Sequence, residues 1–154
     1  MVERIWDNDD QDWKDPAKKN SILKRMLVQS DWEVAKQGAV SSATVNVDLN
    51  GVILYSKAAA ETGSWSTARY KNQISLKSYS KCIITATASE LMSSFFINYM
   101  IKDRAINNFE VDGDYITTSG THVKEIDIAS LSAGYFGITF RGGTVEITDI
   151  TLVK

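Results

Sequence analysis

The run Gly134-Tyr-Phe-Gly-Ile-Thr-Phe-Arg-Gly-Gly-Thr-Val-Glu-Ile-Thr-Asp-Ile-Thr-Leu-Val153 decides how the chain is read. Two strand-like segments, Tyr135 to Arg141 and Thr144 to Val153, flank Gly142-Gly143, a pair able to supply the positive φ angles of a two-residue hairpin turn. In the first segment, period-two geometry puts Phe136, Ile138 and Phe140 on one face and Tyr135, Thr139 and Arg141 on the other. The first face is expected to be core and the second to look outward. In the second segment the apolar phase runs Val145, Ile147, then Ile150, Leu152. One residue too many enters near Thr148-Asp149, the mark of a β-bulge. The expectation is a closing hairpin with one apolar face.

Upstream, the punctuation is that of an all-β protein. His122 to Ile128 alternates. Phe95 to Lys102 is apolar on both faces and rich in aromatic and β-branched residues, which predicts a central strand covered on both sides. Phe109-Glu-Val111 reads as a short strand and Asp112-Gly113 as a turn. Lys81 to Ala88 places Cys82, Ile84 and Ala86 on one side, with Ile83, Thr85 and Thr87 on the other. Ile74 to Lys77 is a short strand, and Lys57 to Arg69, small and polar around Trp65, reads as a long loop. Val45, Val47 and Leu49 alternate with Asn46 and Asp48; Asn50-Gly51 then predicts a type I′ turn into a strand from Val52 to Tyr55. Strands spaced about 8 to 12 residues apart, with no βαβ alternation, predict an all-β antiparallel sandwich from Ser30 to Lys154.

The first 29 residues read differently. Met1 to Lys19 is polar and acidic, with Asp7, Asp9, Asp10, Asp12 and Asp15 around Trp6 and Trp13 and closed by Pro16. This predicts a tether whose tryptophans pack on a neighbour or fold back on the chain's own domain. Ile22, Leu23, Met26 and Leu27 recur at helical spacing with Asn20 or Ser21 as N-cap, predicting a helix of two or three turns that must lie on the domain or a partner. Ser30-Asp-Trp-Glu33 could open a second helical turn as a capping box, but a first strand beginning at Trp32 is preferred.

Composition narrows the function classes. With 17 basic and 19 acidic residues the net charge is −2, so no overall field favours nucleic acid or anionic lipid. The single cysteine, Cys82, is read as a small buried hydrophobe, and the fold must hold without disulfides, as in a reducing cytoplasm. No apolar run approaches the roughly 18 residues of a membrane span, and the acidic N-terminus is not a signal peptide.

The chain resembles the jelly rolls of carbohydrate-binding modules. Their last strand ends in a pattern like Ile147-Thr-Asp-Ile-Thr-Leu152; Asp31-Trp-Glu-Val34 sits where such domains open; Leu49-Asn-Gly-Val-Ile-Leu-Tyr-Ser56 is similar to their early hairpin. Trp65-Ser-Thr-Ala-Arg-Tyr70 with Ile74-Ser-Leu76 looks like their run into a compact turn, here Lys77 to Ser80. The family's last-strand aspartate often helps hold a structural calcium. Here the acid stands one place off, which argues against calcium, and no cofactor is expected. Domains of this kind, with a short tether and no signal, occur in phage tail and baseplate proteins. The resemblance therefore implies a virion protein, made in the host cytoplasm, that grips bacterial cell-surface or cell-wall saccharide, with other tail proteins as partners of the N-terminal segment and no nucleic acid or membrane partner.

Catalysis has little support in the residues. His122, the only histidine, lies on the apolar phase with Ile126 and Ile128, as a structural histidine would, and no nucleophile elbow is present. The acid pairs Asp112 with Asp114, and Glu125 with Asp127, could act across a glycosidic bond only if a cleft held them. A sugar surface instead needs flat rings with amides, carboxylates and guanidinium groups beside them. Candidates are Trp65, Arg69 and Tyr70 near one loop, Asn98, Tyr99, Lys102 and Arg104 at the end of the doubly apolar strand, and Tyr135 with Arg141 on the outer phase of the next-to-last strand. A non-catalytic binding module is expected, the rival being a structural virion domain without a glycan ligand.

Overall fold

The computed structural model describes residues 5–7, 12–14, 20–36, 43–55, 66–89, 96–107, 110, 116–141 and 143–154. In chain order its strands are β1 (Ile5–Asp7), β2 (Asp12–Lys14), β3 (Asn20–Ser21), β4 (Trp32–Lys36), β5 (Thr44–Val47), β6 (Val52–Tyr55), β7 (Ser66–Tyr70), β8 (Ile74–Ser75), β9 (Lys81–Ala88), β10 (Phe96–Lys102), β11 (Gly120–Asp127), β12 (Ala133–Arg141) and β13 (Thr144–Val153). One sheet runs β10-β12-β7-β4, with β8 also on β12. The other runs β11-β9-β13-β6-β5, with β3 also on β13. All the pairings are antiparallel, and the two sheets face each other as a β-sandwich, as the sequence pattern predicts.

The core forms where the apolar phases of the two sheets meet. From the first sheet come Ile97, Tyr99 and Ile101, Phe136, Ile138 and Phe140, Ala68 and Tyr70, and Trp32; from the second come Cys82, Ile84 and Ala86, Val145, Ile147, Ile150 and Leu152, and Val52 and Leu54. The expected bulge is present, since β13 slips its register against β9 between Ile147 and Asp149. That slip keeps both Ile147 and Ile150 inward. Asp149 is used there structurally: its carboxylate accepts hydrogen bonds from the Ser21 and Thr151 hydroxyls, tying β3 to the bulge.

The closing hairpin does not form. β12 lies in the first sheet and β13 in the second, so the chain changes layer between Arg141 and Thr144. A pair of glycines serves either a turn or such a step, and period-two patterning fixes which face is apolar without fixing which sheet it joins. Phe136, Ile138 and Phe140 therefore belong to the sheet opposite the one that carries Val145 and Ile147.

Four local readings also change. The helix expected over Ile22 to Leu27 is a single 3-10 turn, Leu23–Met26, with no side-chain cap, although Ile22, Leu23 and Met26 are buried against the sandwich as required. The hairpin from β5 to β6 forms, but neither Asn50 nor Gly51 has positive φ. Asp48 builds the turn instead, its Oδ1 accepting the Asn50 and Gly51 N–H groups at 2.7 and 2.9 Å, so the aspartate's local bonding prevails over the Asn-Gly preference. Residues 66–69 of the predicted loop are strand β7. β10 is covered on both faces as expected, and among the described residues it is not central, pairing with β12 on one side and by a bridge from Ile97 to Ile116 on the other.

Trp32 opens β4 as preferred. Its Nε1 donates to the Met26 carbonyl at 2.7 Å, and its ring meets Tyr70 at 5.5 Å and Phe136 at 5.8 Å. The edge strand β5 is blunted from outside the sheet. The Gln29 side chain donates to the Val45 carbonyl at 2.7 Å and accepts from the Val47 N–H at 2.8 Å. In the acidic segment read as a tether, β1 and β2 form a small antiparallel ladder in which Trp6 is opposite Trp13.

Cys82 is sealed in the core as expected. Burial, helped by the Asp149 carboxylate, pushes its thiol up to about 12 from an ordinary value of 9.0. Because the folded value is the higher one, the stability linked to this thiol is intact below pH 9 and is lost as pH rises toward 12. Iodoacetamide at pH 8 is expected to leave folded protein unmodified and to label it in urea, the mass shift following the unfolding curve. Fast labelling of the folded chain would contradict the burial.

Candidate functional site

The expected contact residues divide between the two faces of the first sheet. Tyr70 and Tyr99 point inward and are 8% and 2% exposed, so neither ring offers a flat open surface. Tyr70 is held against Trp32 with Asn72 Nδ2 on its hydroxyl at 3.4 Å. Burial raises the Tyr99 phenol, which has no hydrogen-bond partner among the described residues. The sequence puts Tyr70 beside a loop, which is strand β7 in the structure, and Tyr99 near the end of a strand apolar on both faces; packing takes both rings for the core. Trp65 lies outside the described residues.

Arg69, Asn98, Tyr135 and Arg141 share the outer face of that sheet through the pairings Arg69 with Gly137 and Asn98 with Thr139, with Lys102 opposite Tyr135. This face is mostly covered. Ile106 is buried over Gly137, where an added Cβ would come within 2.6 Å of its Cδ1. Arg69 Nε pairs with Glu33 at 2.6 Å and its Nη1 donates to the Ile106 carbonyl at 2.5 Å, while the Thr139 hydroxyl donates to the Glu110 carbonyl at 2.7 Å. Arg104 pairs with Glu110 at 2.9 Å. Asn98 is buried, and Tyr135 and Arg141 are half-buried. The Arg69 guanidinium and the Thr139 hydroxyl thus hold the crossing segment to the sheet, while the Arg104–Glu110 pair closes that segment on itself.

Glu125 and Asp127 share the exposed face of β11, and His122 lies on its opposite phase. Glu125 pairs with Lys81 at 2.7 Å, and Asp127 Oδ1 accepts the Ala129 N–H at 2.9 Å, both exposed on β11. Asp112 and Asp114 lie outside the described residues. His122 is half-buried on the core phase, its Nε2 sealed and without a partner among the described residues. Those residues contain no group of three or more His, Cys, Asp or Glu placed to hold a metal ion.

A cleft of about 570 Å³ opens where β7 of one sheet and β13 of the other run out. That volume suits a small-molecule or oligosaccharide ligand. Its floor is Ile22, Met26, Ile74 and Leu152; its polar wall is Asn20, Gln73, Ser75 and Ser78; Tyr70, Tyr79, Arg25, Lys77 and Lys154 complete it. Asn20 Nδ2 donates to the Tyr79 hydroxyl at 2.9 Å and so fixes the half-buried ring. The turn that carries Lys77 and Ser78 is closed by the Tyr79 N–H on the Leu76 carbonyl at 3.1 Å. Ser78 has φ 71, a left-handed conformation found at no other non-glycine residue among those described. Such strain costs about 1–2 kcal/mol and concentrates at functional sites. Ser78→Gly is expected to raise stability by about 0.5–1 kcal/mol in urea, because glycine's freedom in the unfolded chain offsets part of the relief. A loss of stability would show that the serine is unstrained.

Of the expected contacts among the described residues, only Tyr70 lines this cleft. The others there, Tyr79, Asn20, Gln73 and Lys77 among them, come from three segments far apart in sequence, and no local spacing marks them.

No protein-family profile matches the chain, and no curated protein sequence does. Solved structures do match in fold. The family 11 carbohydrate-binding module of a cellulosomal cellulase from Clostridium thermocellum aligns over 89% of this chain and 95% of its own, with 13% identity and a TM-score of 0.57. The same family's module in complex with a β-1,3-1,4-mixed-linked tetrasaccharide aligns over 88% and 95%, with 11% identity and a TM-score of 0.52. The enzymatically active domain of tailspike protein 4 from bacteriophage CBA120 aligns over 82% of this chain and 20% of its own, with 11% identity and a TM-score of 0.50. At these identities the likeness is one of architecture: this chain has the two-sheet sandwich seen in carbohydrate-binding modules.

Proposed function

We propose that the chain is a non-catalytic carbohydrate-binding module that holds bacterial cell-surface or cell-wall saccharide for a phage tail or baseplate protein. The observation that carries this reading is the end cleft, where a fixed Tyr79 ring stands beside amides and hydroxyls over an apolar floor. A pyranose presents an apolar face to such a ring and hydroxyls to such a rim. The sandwich supplies a rigid frame, and its likeness to a module solved with a tetrasaccharide supports the ligand class. Weak binding per site suffices where many copies act together. The tailspike likeness supports the virion setting, and the N-terminal segment is the proposed contact to other tail proteins. The rival is a structural virion domain that docks through that segment and holds no glycan.

A glycan array followed by titration of the strongest hit tests the reading. Tyr79→Ala is expected to weaken binding about tenfold while the melting curve shows an intact fold. No binding across bacterial surface glycans would favour the structural rival, and turnover of any glycoside would replace both readings.

A further inference from the structure

We propose that the end cleft is built for an acidic saccharide, a chain of sugar or polyol units bearing carboxylate or phosphate groups. This inference rests on the saccharide reading and deepens it. The cleft is lined by Arg25, Lys77 and Lys154 and by no aspartate or glutamate, in a chain where acids outnumber bases by 19 to 17. The positive charge is therefore local to the cleft rather than general. Arg25 makes an interaction of its own, so the charge on offer is that of Lys77 and Lys154, both exposed. The side-chain ion pairs found among the described residues use Arg69, Lys81 and Arg104 instead. Asp149, an acid on β13, spends its carboxylate on the Ser21 and Thr151 hydroxyls.

The turn adds geometry to the charge. Ser78 is held at φ 71 between Lys77 and Tyr79, so a cation and a fixed ring stand one residue apart on the same rigid turn. A sugar stacked on Tyr79 then carries its substituents toward an ammonium group. Lysine acts on carboxylate or phosphate as a point charge, so the two kinds of acid share one mode of capture. Gln73, Ser75 and Asn20 remain for the hydroxyls. A simple anion patch would need neither the ring nor these amides.

The test uses the full chain and four polymers: polygalacturonate, its methyl ester, a glycerol-phosphate polymer and poly-glutamate. Binding of polygalacturonate or the glycerol-phosphate polymer is expected, and which of them binds more tightly identifies the acid as carboxylate or phosphate. The methyl ester and poly-glutamate are expected to bind at least tenfold more weakly than the preferred polymer. Lys77→Gln with Lys154→Gln should weaken acidic-polymer binding about tenfold, at about threefold per exposed lysine, with melting unchanged. Binding should also fall as salt shortens the screening length. Equal binding of the methyl ester would overturn the charge inference and leave the saccharide reading standing. Equal binding of poly-glutamate would reduce the cleft to a non-specific cationic patch. Should neither acidic polymer bind while neutral glycans on the array do, the inference falls alone; if nothing binds at all, both fall.

Discussion

Trp32→Ala is expected to destabilise the protein by about 3–5 kcal/mol, the loss typical of truncating a large buried ring. Trp32 is 4% exposed and touches both Tyr70 of β7 and Phe136 of β12, so its removal opens a hole between three strands. Its Nε1 also satisfies the Met26 carbonyl, and loss of that bond releases the 3-10 turn that covers this end of the core. For a domain whose total stability is of order 5–15 kcal/mol, such a change should lower the melting temperature by about 10 °C or more. Urea denaturation of wild type, Trp32→Ala and Trp32→Phe checks this, with the phenylalanine variant expected to lose the indole bond and part of the packing. A loss below about 1 kcal/mol for Trp32→Ala would mean that the end of the sandwich repacks freely.

Gly51→Ala should cost about 3 kcal/mol, near the top of the range for overpacking. A Cβ on Gly51 would come within 2.2 Å of the Ile147 carbonyl oxygen and 3.2 Å of its carbon. Both are backbone atoms of β13 at the register slip, so no side-chain rotation relieves the contact. The Gly137 neighbour is different in kind, being the Cδ1 end of the Ile106 side chain. Gly137→Ala is accordingly expected to cost no more than about 1 kcal/mol. Chemical denaturation of the two variants side by side measures the contrast, and equal losses would show that the β6 turn yields as easily as a side chain.

These contrasts also show what the sequence reveals and what it conceals. The inward faces of β9 and β12, the bulge near Thr148 and the strand opening at Trp32 were legible, because period-two alternation and a phase slip are local signals. The change of layer between β12 and β13 was not, since two glycines between strand-like runs mean a turn or a crossing with equal local logic. The turn at Asn50-Gly51 was read from a dipeptide preference that the Asp48 carboxylate overrode. Among contact residues, Tyr70 and Tyr99 were legible as aromatic but not as core: Tyr70 because the run now seen as β7 reads as a loop, and Tyr99 because which side of a doubly apolar strand meets the opposite sheet is not a local signal. The end cleft was hidden altogether. Asn20, the Lys77–Tyr79 turn and Lys154 meet only once β3 and β9 have both paired with β13.

Gln29 has a bearing on crowding. An unguarded strand at the margin of a sheet offers its amides and carbonyls to any neighbouring chain. By occupying one such amide and one carbonyl of β5 with its own side chain, the molecule closes that margin to its neighbours. At high concentration, copies of the domain are then expected to resist pairing edge to edge through β5.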